Sequence, residues 1–215
     1  SLLDNTPRGM LVRLNADGTL DNTFNTGGLG GDNSVRSIIV RPDGKIWISG
    51  QFRSWNNVPR YRVARLNADG SLDTTFDPGL GLDNIPFAMV EQPDGKLLLA
   101  GGFTTANGLP SSGVARFNSD GSVDATFTPG SGLAITSSNG ASIRAMALQS
   151  TGKIVIGGAF SAGNFNPARD STYNGVAKSN IARLNSDGTL DSSFVTAMNS
   201  VVRTIALLPA DKLLV

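Results

Sequence analysis

Cysteine and histidine are both missing from this 215-residue chain. Their absence excludes disulfides, thiol nucleophiles, Cys/His zinc sites and every histidine-based catalytic triad. Glutamate occurs once, as Glu91, so nearly all of the acidity is aspartate. Charged residues make up only 16% of the chain and the net charge is +1. A balance this close to neutral argues against nucleic acid as a partner, because that association needs a concentrated basic surface to displace counterions. No apolar run approaches the roughly 20 residues that a membrane-crossing helix requires. There is no Walker motif, nucleophile elbow or dinucleotide fingerprint.

What the chain does have is a nine-residue phrase written four times. Arg13-Leu14-Asn15-Ala16-Asp17-Gly18-Thr19-Leu20-Asp21 returns from Arg65 to Asp73, from Arg116 to Asp124 and from Arg183 to Asp191, followed by Phe24, Phe76, Phe127 and Phe194. The copies lie 52, 51 and 67 residues apart, a period that belongs to repeat architectures. The third interval is longer because residues are added after Phe127 and after Phe160. A second phrase lies between the copies: Pro42-Asp43-Gly44-Lys45 and Pro93-Asp94-Gly95-Lys96, with worn forms at Ser150-Thr151-Gly152-Lys153 and Pro209-Ala210-Asp211-Lys212.

Both phrases read as hairpin turns. Pro presets its φ, Asp bonds to nearby backbone, and Gly accepts a positive φ. Before the lysine turn lie extended segments carrying Ile38, Met89, Met146 and Ile205 on one face and Ser37, Ala88, Ala145 and Thr204 on the other. After it come Ile46-Trp47-Ile48, Leu97-Leu98-Leu99, Ile154-Val155-Ile156 and Leu213-Leu214-Val215. Unbroken runs this short, ended by glycine, read as strands buried on both faces. A third strand includes Val63 to Leu66 and its equivalents, and a short fourth runs through Leu72-Asp73. The expected fold is therefore all-β: a β-propeller built from about 50-residue, four-stranded blade repeats, four of them in a single domain or propeller segment, 1–215. A closed four-blade ring and a segment of a longer array both fit the phase of the repeats.

The segments Asn180 to Phe194, Gln92 to Lys96 and Gly101-Gly102-Phe103-Thr104 resemble the delta-60 repeat of bacterial propeller-like proteins. That resemblance implies a β-propeller in a bacterial protein that is secreted or displayed at the cell surface. It implies no common activity.

The oxygen-rich residues Asn15, Asp17, Asp21, Asn67, Asp69 and Asp73 are the candidate calcium ligands. An EF-hand loop would need an acidic group where arginine stands and a closing glutamate that is missing, so turn formation is the preferred role. The repeated arginine and the closing aspartate are expected to pair across the hairpin. The repeated phenylalanines are assigned to packing. Two features break the repeat and are the candidate partner or ligand sites. One is the loop with Trp55, Asn56, Asn57, Arg60, Tyr61 and Arg62, in which exposed aromatics beside amides suit a sugar face or a peptide. The other is the 161–179 insertion, with Phe165, Arg169 and Tyr173. The carboxylates outside the repeated phrases, Asp4, Asp32, Asp77, Asp83, Asp170 and Glu91, would have to supply any glycosidase pair. The reading that follows is a non-enzymatic interaction module or structural subunit, without cofactor or metal, whose partners are proteins. A carbohydrate-binding propeller is the alternative.

Overall fold

The computed structural model describes residues 9–111, 113–133, 141–160 and 172–215, with the backbone of the first two short strands. Those are β1 (Leu2–Leu3) and β2 (Thr6–Pro7), an antiparallel pair. β3 (Val35–Val40), β4 (Ile46–Gly50), β5 (Ser54–Trp55), β6 (Val58–Pro59) and β7 (Val63–Leu66) make up the next unit. The same order returns as β8 (Pro86–Glu91), β9 (Leu97–Gly101), β10 (Thr105–Ala106), β11 (Leu109–Pro110) and β12 (Val114–Phe117). A third round gives β13 (Ser142–Leu148), β14 (Ile154–Ala159), β15 (Thr172–Tyr173), β16 (Val176–Ala177) and β17 (Ile181–Leu184). β18 (Ala206–Leu208) and β19 (Lys212–Leu214) follow, joined by a single 3-10 turn.

Three antiparallel sheets, β3-β4-β7, β8-β9-β12 and β13-β14-β17, each place the strand after the lysine turn in the middle. That strand packs on both faces, which explains its unbroken apolar run. Ile46 and Ile48 face a layer with Phe24, Phe52 and Trp55. Trp47 points the other way, into a layer shared with Leu97, Leu99, Phe76 and Phe117. Leu98 and Ala100 in turn meet Ile154 and Ile156, and Val155 meets Val202 and Ile181. The core is thus a series of layers between consecutive sheets, so each repeat buries its neighbour's face and none has a core of its own.

The two repeated phrases fold into one turn geometry. In Pro42-Asp43-Gly44 the Gly44 N–H donates to the Arg41 carbonyl at 2.9 Å, and the Arg41 N–H to the Lys45 carbonyl at 2.9 Å. In Ala16-Asp17-Gly18, Gly18 donates to Asn15 and Asn15 to Thr19 in the same way. Each is a three-residue loop whose final glycine sits at φ near +80 to +97° in every intact copy. All four Asn-x-Asp-Gly segments make this turn, as expected from the sequence.

Two expectations need correction. The fourth strand of each unit is reduced to one bridge, such as Leu66 to Leu72, so the sheets are three-stranded. The Asp73 N–H still donates to the Arg65 carbonyl at 2.9 Å, and the Asp73 side chain binds those of Arg65 and Thr75. The run after Lys212 is also not buried: Leu214 is exposed, and β19 pairs only with β18. Among the described residues no third strand covers it, and no pairing joins β18 and β19 to the first repeat.

Candidate functional site

The repeated arginine is the hub of a clasp between repeats. Arg65 Nε donates to Asp73 Oδ2 at 2.6 Å, its Nη1 donates to the Ser119 carbonyl of the next repeat at 2.8 Å, and its guanidinium lies over the Phe76 ring, 5.4 Å from the centroid. Arg13 reaches the Ala68 carbonyl at 2.6 Å, and Arg116 reaches that of Ser186 at 2.7 Å. Backbone bonds run alongside: Asn25, Asp77 and Thr128 donate N–H groups to the carbonyls of Asp69, Asp120 and Asp187. The lysine of the other phrase closes the network, Lys45 on Asp73 at 2.8 Å, Lys96 on Asp124 at 2.7 Å and Lys153 on Asp191 at 2.7 Å.

This setting fixes the ionisation of the closing aspartates. Burial acts to raise the Asp73 pKa, but hydrogen bonds from Lys45, Thr75 and Arg65 outweigh it and hold the carboxyl well below the usual range. Asp124 follows the same pattern. For Asp191 the bond from Lys153 is the largest influence. Asp21, with bonds from Thr23 and then Arg13, lies at about 2.

The calcium candidates are accounted for by these contacts. Asp17 and Asp69 bind the N–H and hydroxyl of Thr19 and Ser71 through Oδ1. Asn15 and Asn67 donate to the same hydroxyls. Asp21 and Asp73 face arginine, and Asp73 also faces lysine, cations that a metal ion would have to displace.

The loop that carries Trp55 is itself part of the repeat, which corrects the expectation of an exposed aromatic platform. Ser54 to Pro59 forms the hairpin β5-β6, matched by β10-β11 and β15-β16. Trp55, Ala106 and Tyr173 occupy equivalent buried positions and bridge to Gly31, Leu82 and Leu133. Trp55 is enclosed because its indole fills the layer beside Phe52 and donates to the Gly70 carbonyl at 3.3 Å. Burial raises the Tyr173 hydroxyl's pKa. Asn56, Asn107 and Asn174 lock each hairpin to the connector before it, donating N–H groups to Gly30, Gly81 and Gly132. Asn56 Oδ1 accepts from Gly30 N–H at 2.7 Å, so this amide is occupied.

Arg60 is buried and pairs with Asp77 at 3.3 Å. Arg62, at φ 71°, donates to the Leu82 carbonyl at 2.6 Å. Of the six residues proposed in this loop, Asn57 and Tyr61 are exposed. Phe165 and Arg169 lie outside the described residues, as do Asp4 and Asp170. The remaining carboxylates are engaged structurally. Asp32 and Asp83 hold equivalent hairpins through the backbone of Arg53, Ser54, Thr104 and Thr105, and Glu91 pairs with Arg41 at 2.6 Å.

Sequence reasoning missed a cavity of about 400 Å³ shared by the first strands of three sheets and the segment before β18. Arg36, Arg144 and Arg203 line it, above Ser37, Ala88, Ala145 and Thr204 and beside Met89, Met146 and Ile205. The signal was present in the chain: each arginine stands nine residues before the turn lysine, where the second repeat has Phe87. Each is a charged residue that interrupts the alternating apolar faces near the start of its segment.

These features define an all-β repeat protein in which successive antiparallel sheets are stacked and clasped through shared turns. The chain belongs to the family described as Domain of unknown function (DUF5122) beta-propeller, whose model matches residues 2–24, 41–76, 92–127 and 149–194. Each full match runs from a lysine turn through the central strand and hairpin to the phenylalanine after the clasp, so the Trp55 hairpin lies inside the family repeat. The first strands, with Arg36, Phe87 and Arg144, fall between the matched segments. None of the curated proteins matches the chain.

Proposed function

We propose that the protein is a non-enzymatic interaction module, a bacterial extracellular or cell-surface propeller of the delta-60 type whose repeats act as blades presenting a protein-binding rim. The observation that carries this reading is a set of exposed aliphatic side chains at recurring positions. Val58, Leu109 and Val176 begin the second strand of each small hairpin, and Leu109 and Val176 are 53% and 48% accessible. Leu29 and Leu80, on the connectors that those hairpins grip, are 64% and 67% accessible. The Leu80 N–H binds Asn107 at the hairpin tip, and its connector runs against Tyr61, so these residues lie on neighbouring parts of one surface. Apolar groups repeated on a rigid scaffold and rimmed by polar turns suit protein association.

Two further points support a binding role over catalysis. Burial acts to raise the pKa values of Asp32, Asp73, Asp83 and Asp124, but hydrogen bonds from surrounding residues outweigh it and lower them, an engagement that suits a structural role for these carboxylates. The carbohydrate reading loses two of its aromatic candidates, Trp55 and Tyr173, which are buried, and keeps the exposed Tyr61.

The test is chemical cross-linking of the protein in its native cells, followed by binding of the purified cross-linked partner to wild type and to the triple variant Leu80→Ser, Leu109→Ser, Val176→Ser. The variant is expected to keep its melting temperature and to lose the partner. Undiminished binding would remove the rim from the interaction, and a glycan-array signal independent of the rim would favour the carbohydrate reading.

A further inference from the structure

We propose that the cavity between the first strands is a binding site for a compact polyanion bearing phosphate groups. Three arginines line it, and among the described residues no aspartate or glutamate does. Arg36, Arg144 and Arg203 are all exposed, and among the described residues none makes an ion pair or a hydrogen bond. This contrasts with Arg13, Arg65, Arg116 and Arg183, each of which has a carboxylate within 2.8 Å. Three like charges converging on one concavity repel one another, and an anion between them relieves that repulsion.

The backbone aims two of these side chains. The pairing of β3 with β4 skips from Val35 to Ser37, and that of β13 with β14 from Ile143 to Ala145, so Arg36 and Arg144 each occupy a β-bulge. Phe87 occupies the same bulge in β8. A bulged residue is released from the ladder and its side chain is redirected, a device common beside binding sites. The opposing glycines make the bulge sterically feasible: a Cβ at Gly50 or Gly158 would collide with the backbone of Ser34 and Val35, or of Ser142 and Ile143. Phe87 stands at this position in the second repeat, and the Arg36 guanidinium lies over its ring, 5.6 Å from the centroid.

Guanidinium groups match phosphate oxygens in bidentate geometry and keep their charge at all physiological pH values. Ser37 and Thr204 add hydroxyl groups to the same lining. A volume of about 400 Å³ suits a small ligand rather than a folded acidic segment. This site is separate from the apolar rim, so either proposal can fail without the other.

The probe is inorganic tripolyphosphate, titrated calorimetrically into the purified protein at low salt. Saturable one-to-one binding is expected, weakened roughly tenfold or more by Arg36→Met and again by Arg144→Met. Arg53→Met, on an exposed arginine outside the cavity, is expected to leave the affinity unchanged. Circular dichroism melts of the variants should stay close to wild type, since the substituted arginines are exposed, make no ion pair among the described residues, and lose only the contact of Arg36 with the Phe87 ring. Absence of saturable binding would overturn the proposal, as would equal weakening by Arg53→Met. Binding of a short poly-glutamate peptide in the absence of tripolyphosphate binding would overturn it in favour of an acidic segment.

Discussion

Two sets of arginines recur along this chain, and the fold uses them in opposite ways. Arg65 and Arg116 stand on the third strand of their sheets, buried between an aspartate, a phenylalanine ring and the next repeat's turn carbonyl, while Arg13 and Arg183 make the same aspartate pair part-exposed. Arg36 and Arg144 stand near the start of the first strand and Arg203 just before β18, all exposed to a shared cavity and without a counter-charge among the described residues. Recurrence alone does not separate scaffold from site. What separates them is whether each charge finds its partner within the fold, because a buried charge must be compensated locally whereas one facing solvent remains available.

The largest effect should come from breaking the clasp. Asp73→Ala leaves Arg65 and Lys45 without their shared carboxylate, and loss of one partner of a buried pair typically costs about 3–5 kcal/mol. Chemical denaturation would measure it, and a loss below about 1 kcal/mol would mean that the clasp behaves as a surface pair.

Next comes the contact between repeats, isolated by two glycines of equal conformation. Gly70 at φ 83° and Gly18 at φ 86° both resist a side chain, but a Cβ at Gly70 would lie 2.8 Å from the Phe24 ring, whereas Gly18 has open space. Gly18→Ala is expected to cost about 1 kcal/mol from backbone strain and Gly70→Ala about 1–3 kcal/mol more from overpacking. Equal losses would show that the turn's glycine serves φ alone.

Acid titration sharpens the same comparison. The clasp aspartates have folded-state pKa values below their unfolded value of about 3.9, so their stabilisation is complete above that pH and is lost as pH falls through the folded values, about 2 for Asp21. Denaturation midpoints are expected to fall from pH 5 towards pH 2, and less steeply in Asp73→Ala. A midpoint independent of pH would contradict the pairing.

The smallest expected effect belongs to the cavity: Arg36→Met with Arg144→Met should change stability by no more than about 0.5 kcal/mol, because these exposed side chains make no ion pair among the described residues and only the contact of Arg36 with the Phe87 ring is lost. A larger loss would place these arginines in the scaffold.

Much of the scaffold was legible in the chain. The turn glycines, the arginine–aspartate pairing and the doubly buried central strand follow from local chemistry and from period, since a turn needing positive φ selects glycine and a two-faced strand needs an unbroken apolar run. Trp55 was misread because its aromatic neighbours looked unique in sequence, whereas Ala106 and Tyr173 fill the same position with different side chains. The hairpin is repeated in backbone, not in residue type.

The sequence by itself determined that this is an all-β repeat protein and where its turns fall, because those depend on residues within a few positions of one another. Only the tertiary structure decided which arginines are occupied. Arg65 meets a carbonyl 54 residues away, and Arg36, Arg144 and Arg203 reach one cavity from separate repeats. Such proximity is created by stacking sheets through shared apolar layers, and no local pattern carries the distance between side chains that the stack brings together.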